Sequence, residues 1–550
     1  MMIPDIFLIV STRLKPLLPQ TTGYKMQSVP ESLHLRMKLV RFVLANRCRE
    51  RNKADRPEHN RMITFVLSIV LLVAGYFVYG KFVDRFFGAD STRRTPAYAQ
   101  EDGVDFQPMA TWKVFVIQFL NIAGLGPIFG AIMGAAYGPA AYLWIVIGCI
   151  FMGAVHDFFA GMMSIRNGGA NMPDITGKYL GKGMRGAMNV IVAFLLLAVG
   201  VSFVTGPADL IASLTKMNKE IWLYIIFAYY LLATILPIDK IIGTIYPYMG
   251  AALLFMAVGV GAMLIVGDLN GSHEMAELTP ATLKNWHFDP QNNIMIPMLF
   301  IVVSCGAISG FHSTQSPLMA RCLKNEKYAR PVFYGAMIAE GVVAMIWATA
   351  AMAYFGGPEG LNNAMTDGVM IDGVLTKVTP AIAVDMICKS WLGKVGAVIA
   401  VIGVVVCPIT SGDTAFRSLR LTIADFLKSD QKPVGKRILI SIPIFLLAFF
   451  CCKMNFSTVW NYVGIGNQLL ASIVLWTAAA YLINKGKAHW MCSLPATFLT
   501  FVCVSYFLMA PHPNGGLHLN PMIGYVAGVA AALALLIFCI MKGRASKRAA

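Results

Sequence analysis

Apolar runs of roughly 17 to 25 residues, the length that carries a helix across ~30 Å of hydrocarbon at ~1.5 Å per residue, recur along most of the chain. Thirteen can be marked, near residues 62–83, 112–136, 140–165, 187–213, 221–236, 241–267, 294–313, 331–355, 394–415, 437–452, 458–483, 489–510 and 521–541. The polar stretches between them are too short to hold a separate catalytic domain. The pattern predicts an all-α polytopic membrane protein in which residues 62–550 form one transmembrane domain.

Two of the runs carry helix breakers. The second, QFLNIAGLGPIFGAIMGAAYG, is interrupted by Gly124, Gly126, Pro127, Gly130 and Gly134, and the seventh, IVVSCGAISGFHSTQSPLMA, by Gly306, Gly310 and Pro317. Proline removes a backbone donor and glycine loosens a helix, so both are candidate discontinuous helices. Close helix packing through GxG and GxxxG spacing is the alternative for either run alone. The two lie five segments apart and therefore cross in opposite directions. Residues 112–267 supply five segments and 294–483 five more, with 62–83 before them and 489–510 and 521–541 after. This is the arithmetic of a five-plus-five inverted repeat, whose broken helices form a substrate and ion site near the midplane.

Composition sharpens the picture. The chain is 57% hydrophobic and 13% charged, about half the usual charged fraction, which excludes a soluble globular architecture. Its net charge of +17 would suggest a nucleic-acid partner in a soluble protein; here the lipid bilayer is the partner and the charge reports orientation. Alternate loops carry 26 Lys and Arg on one side and 7 on the other, which assigns the first set and the C-terminus to the cytoplasm. Residues 1–61 hold 12 basic against 5 acidic residues and no spanning run. Translation from Met62, just ahead of the first apolar run, would remove this basic extension; a cytoplasmic tail with one segment miscounted is the rival reading. The 11 Cys are scattered apart from Cys451 and Cys452, with no disulfide framework and no metal-ligand spacing. No Walker A lysine, GxSxG or HExxH occurs, so neither an enzyme nor a cofactor is expected.

The successive stretches GADSTRRTPAYAQEDGVDFQP, NIAGLGPIFGAI, GAVHDFF, SGFHSTQSP and WNYVGIGNQLLA, in order from about residue 80 to 480, resemble the carbon starvation protein A (CstA) family of bacterial inner-membrane transporters. The resemblance implies uptake of peptides, or of pyruvate by proton symport, during nutrient limitation. It also implies a scaffold related to amino-acid/polyamine/organocation carriers, here in a shorter member that ends soon after residue 540.

An ionised side chain at the bilayer centre costs at least about 2.5 to 3.5 kcal/mol and so needs a partner or a cavity. His156 and Asp157 precede Arg166 by nine to ten residues, placing them roughly 13 to 15 Å from the cytoplasmic edge. His312 lies nine residues before Arg321 on the second broken segment. These three are candidate proton carriers; a structural polar pair, or a packing His, is the plain alternative. Gln118, Asn121 and the backbone of Gly124, Gly126 and Gly130 on the first broken segment, with Ser304, Ser309, Ser313 and Gln315 on the second, are candidate substrate contacts. Half-helix N-termini there would favour a carboxylate. In many carriers of this scaffold a hydroxyl pair on the eighth core helix helps hold sodium, which makes Thr410 and Ser411 a possible sodium site. Asp413 and Arg417, four residues apart, could latch the cytoplasmic side. Asp209, Asn461, Asn467 and Gln468 are read as lining or packing, and the loop from Arg93 and Arg94 to Asp105 as a folded entry segment with a possible gating role. A membrane sensor without net transport, a sodium-coupled carrier and an intramembrane enzyme are the competing functions.

Overall fold

The computed structural model describes residues 62–102, 106–215, 217–235, 238–371, 373–427, 429 and 433–549. The proposed extension 1–61 and Asp105 of the entry loop lie outside the described residues. Among those described, ten helices are long and apolar enough to cross a membrane, or eleven if one sharply bent pair counts as a single span. Before the first repeat comes α1 (Ile63–Phe87). The first repeat contains the bent pair α2 (Thr111–Ala123) and α3 (Gly126–Ala135), then α4 (Ala140–Arg166). It continues through α5 (Met172–Leu180), α6 (Lys182–Thr215), α7 (Lys219–Ile235) and α8 (Ile238–Leu269). The second repeat opens with the short α9 (Met295–Val302) and α10 (His312–Ala320). There follow α11 (Glu326–Phe355), α12 (Pro358–Thr366) and a hairpin, Val369–Ile371 with Val374–Thr376. The repeat is completed by α13 (Pro380–Phe426), α14 (Val434–Cys451) and α15 (Phe456–Asn484). Two more helices follow, α16 (Trp490–Met509) and α17 (Pro521–Ala549).

Each of the thirteen apolar runs coincides with helix, but not each is a full span. The run at 221–236 becomes α7, of 17 residues. The run at 294–313 is two separate helices of 8 and 9 residues, so its polar series begins a new helix at His312 instead of ending an old one.

The contacts repeat with the predicted internal symmetry. Among the most extensive helix contacts are those of α6 with α13, the third members of the two repeats, which pack on each other. The fifth helix of the first repeat, α8, packs on α13, and its counterpart α15 packs on α6. Likewise α10 packs on α4 while α3 packs on α11. One exchange of repeats maps each contact onto another, as two inverted halves about a common axis require.

Both broken helices meet at the centre. The α2–α3 pair bends by 51° at Gly124 and Leu125. A Cβ on Gly126 would lie 1.9 Å from the Cβ of Cys305, so only a glycine lets the two breaks touch. Residues 303–311 run without helix between α9 and α10. Their freed backbone groups find buried partners, as non-helical chain at membrane depth must. Gly306 N–H donates to Glu340 Oε1 at 3.1 Å, and Phe311 N–H to Asn467 Oδ1 at 3.0 Å. Gly310 N–H donates to the Asn467 carbonyl at 3.1 Å. Trp144 Nε1–H donates to the Val303 carbonyl at 2.8 Å, and Gln468 Nε2–H to that of Phe300 at 2.7 Å.

Candidate functional site

At the second break four ionisable side chains form a continuous buried chain. Asp157 on α4 sits between two imidazoles: Oδ1 is 2.8 Å from Nδ1 of His156, and Oδ2 is 2.9 Å from Nδ1 of His312. Nε2 of His312 in turn lies 3.4 Å from Oε2 of Glu340 on α11. All four residues are fully buried. The two predicted carrier positions, 155 residues apart in sequence, are thus in direct contact. Glu340 was missed by the sequence reading, although a lone acidic residue inside the apolar run GAMIAEGVVAMIW was a usable signal. It joins the site because the break at Gly306 needs an acceptor and Glu340 is the one the helix α11 presents.

Cys305, His312 and Glu340 also bring a sulfur, a ring nitrogen and a carboxylate oxygen within 4.8 Å of one another. Sequence spacing gave no hint of such a donor set, because residues from two elements assemble it. Two of its members are already engaged, His312 with Asp157 and Glu340 with Gly306.

Several of the candidate substrate contacts bond on or across the second broken segment. Gln118 donates from Nε2 to Ser316 Oγ at 3.3 Å, and Asn467 Nδ2 reaches Ser304 Oγ at 3.5 Å, so each amide bridges to the second broken segment. Gln118, Asn121 and Gln315 are buried, and the amide oxygen of each has no hydrogen-bond partner among the described residues. Ser309 lies 3.6 Å from Cys305 Sγ, while Ser313 Oγ–H turns back to the Gly310 carbonyl at 2.7 Å. Gly130 packs against the Val302 carbonyl, beside the break.

The remaining candidates divide by helix phase. Ser411 Oγ–H reaches the Leu120 carbonyl of α2 at 3.0 Å as well as the Cys407 carbonyl of its own helix at 3.0 Å, and Thr410 Oγ1–H bonds that same Cys407 carbonyl at 2.7 Å. Asp413 and Arg417 are buried and 3.8 Å apart, and Arg417 Nη2 also donates to the Ala233 carbonyl of α7 at 2.6 Å. Asp209 faces away from the centre, pairing with Lys219 at 2.7 Å on a half-exposed edge. Asn461 bonds to Asn514 at 2.9 Å, whereas Asn467 and Gln468 hold the second break.

The two ends of the molecule differ. On the basic face a cavity of about 830 Å³ penetrates between α5, α6, α10 and α13. Ser313 and Thr314, one and two residues from His312, line its wall, and among the described lining residues Lys182, Arg185 and Arg321 stand against a single acidic residue, Asp174. On the opposite face the segment 270–293 closes over the end of α3. Trp286 covers Gly138, and Asn362 Nδ2–H groups bond the Ala136 and Trp286 carbonyls at 2.9 Å. Beside the cavity, buried Glu326 accepts two bonds of 2.7 Å from Arg166 and one of 2.8 Å from Asp90 N–H. Arg93 lies 3.5 Å from Glu326, Arg94 bonds the Tyr98 carbonyl at 2.8 Å, and Asn325 Nδ2–H bonds the Ser91 carbonyl at 2.7 Å. Glu326 therefore welds the entry segment to the ends of α4 and α11.

Two inverted halves, paired broken helices and a buried polar centre beneath a cavity open on one face define the class of alternating-access membrane transporters. Residues 60–205, 184–378 and 373–506 match the family model described as carbon starvation protein CstA, and the chain belongs to that family. It is 25% identical to the peptide transporter CstA of Campylobacter jejuni over 559 residues, covering 79% of this chain and 78% of that relative. Over 361 residues it is 26% identical to the pyruvate/proton symporter BtsT of Escherichia coli, covering 54% of this chain and 50% of the symporter. An uncharacterized membrane protein of Haemophilus influenzae is 45% identical over 353 residues, 56% of this chain and 95% of its own length. Among solved structures, a manganese transporter of Eremococcus coleocola superposes with a TM-score of 0.51 at 13% identity, over 79% of this chain and 94% of that one. This likeness concerns the fold alone.

Proposed function

We propose that the protein is a secondary active importer of a small carboxylate such as pyruvate, or of peptides, driven by proton symport across the bacterial inner membrane, with the basic face and the C-terminus cytoplasmic. The observation that carries this reading is the buried chain His156, Asp157, His312 and Glu340, which joins α4 of one repeat to α10 and α11 of the other. A proton held there bears directly on which helices stay together. When Asp157 or Glu340 takes up a proton, the attraction that ties it to His312 weakens, and the hold of α10 on its neighbours weakens with it. Substrate would bind against Gln118, Asn121 and Gln315, with Ser304, Ser309 and Ser313 and the backbone of Gly124, Gly126 and Gly130 completing the site. The cationic wall of the cavity suits an anion leaving toward the cytoplasm.

Ser411, bonded to the Leu120 carbonyl beside the first break, supports sodium coupling as the second reading, with Thr410 as its neighbour. Vesicles reconstituted with the protein separate the two. An imposed proton gradient should accumulate labelled pyruvate or peptide with no sodium present. Accumulation that follows only a sodium gradient would replace proton with sodium, and accumulation under neither would remove the symport reading.

A further inference from the structure

A second cavity, of about 680 Å³, lies on the flank of the molecule between α15, α16, α17 and the end of α5. Its wall is mainly apolar, and the residues that face outward along it are exposed: Leu469 at 38%, Leu535 at 43% and Phe538 at 58%. Two lysines, Lys178 and Lys542, stand at one end with Asn484. Along α15 the groove runs from Asn484 to Leu469, about 22 Å at the helical rise. That matches half of a bilayer of about 40 to 45 Å including headgroups. The lysines thus fall at headgroup depth and the apolar wall at acyl-chain depth, on the leaflet of the basic face.

We infer that this groove is a binding site for one anionic glycerophospholipid, its phosphate between Lys178 and Lys542 and an acyl chain along Trp476 and Leu535. Charge complementarity selects the headgroup, and basic pockets between helices on the cytoplasmic side suit such lipids. Lys178 is steadied by a bond of 2.7 Å to Asn167 Oδ1, which fixes its place at the rim.

The position of the groove gives the lipid a role. Its wall includes Lys178 to Gly181 and Met184, whereas Asn171 to Asp174, Lys182 and Arg185 of the same strip line the central cavity. The end of α5 and the start of α6 are therefore a thin partition with lipid on one side and the transport cavity on the other. The partition turns at Gly181, whose φ of 99° needs a glycine, and is stapled across the turn by Asp174 and Arg185 at 2.6 Å. A bound lipid braces this partition from the membrane side.

The test uses the full-length protein in mild detergent, with native mass spectrometry as readout, so it stands apart from the transport reading. Phosphatidylglycerol, phosphatidylethanolamine and free glycerol phosphate are compared. Phosphatidylglycerol should be retained selectively, with retention falling roughly thirtyfold in Lys178→Gln/Lys542→Gln and about fivefold in either single variant, from the worth of one basic residue at an anionic surface. Equal retention of the zwitterionic lipid, or no change in the double variant, overturns the proposal; capture of glycerol phosphate alone overturns it in favour of a soluble phosphate site. Should the double variant fail to fold, quenching by brominated-chain phosphatidylglycerol decides on the native chain. Trp476→Phe should remove part of that quenching, and undiminished quenching would place the lipid elsewhere.

Discussion

The two breaks solve the same problem by opposite means. The first is short and held by shape: α2 and α3 bend within two residues, and Gly126 lets Cys305 of the other break lie against the backbone. The second is nine residues long and held by polar side chains, with Glu340 and Asn467 taking its backbone N–H groups, Trp144 its Val303 carbonyl, and Gln468 the Phe300 carbonyl at the end of α9. A contact of shape has no charge state, whereas a bond to Glu340 belongs to a chain that includes Asp157 and His312. The difference teaches that the ionisable side chains gather at the second break, while the first is a surface of shape packed against it.

The largest expected effect tests where the chemistry sits. Asp157→Asn keeps the shape of the side chain but removes its charge, and gradient-driven uptake in vesicles should fall by at least about a hundredfold, the scale of losing a positioned proton-transfer group. Exchange of substrate without a gradient should persist; unaltered driven uptake would move the coupling elsewhere. Next comes the contact of shape. Gly126→Ala drives a methyl into Cys305 and should cost about 3 kcal/mol, the upper end for overpacking, seen as a lower thermal midpoint. Cys305→Gly should restore it, and failure of that rescue would show that the first break is not held by this contact. At the second break, Glu340→Ala should cost about 2 kcal/mol by leaving Gly306 N–H buried and unpaired. Glu340→Gln, which keeps an oxygen acceptor, should stay near the parent stability; equal losses in the two variants would argue against a hydrogen bond as the tie.

The smallest effect is expected on the segment 270–293, which covers the end of α3. His287, in that segment, has its pKa pushed down from 6.5 to about 4, chiefly by burial, with Asp289 opposing the shift. The folded segment thus prefers the neutral imidazole, whose Nδ1 accepts from Asp289 N–H at 3.1 Å. Stability from this group is full above pH 6.5 and is lost as pH falls from 6.5 toward about 4, where the unfolded state binds a proton that the folded one does not. Fluorescence of the adjacent Trp286 should report local opening over that window, and His287→Phe should flatten the response.

Hydropathy made the spans legible because a crossing helix needs some 20 apolar residues in a row, and the inverted repeat followed from where the breakers fell. Asp157 and His312 were legible as costly charges in apolar runs. Their contact was not, because it depends on α10 being a separate helix that starts at His312 and so turns that ring toward α4. The same reasoning that flagged Asp157 applied to Glu340, but its role depends on an N–H 34 residues away that a break exposes. Thr410 and Ser411 looked equivalent in sequence, and only their difference of one helical step decides that Ser411 reaches Leu120.

Glu326 has a mechanical consequence. By holding Arg166, Arg93 and the Asp90 backbone together, it makes the basic-face ends of α1, α4 and α11 a single stiff block. The cavity wall opposite that block is formed by α5, α6 and α13, with no share in the Glu326 cluster among the bonds described here. That wall depends on other bonds, among them the Asp174–Arg185 pair at 2.6 Å across the turn at Gly181.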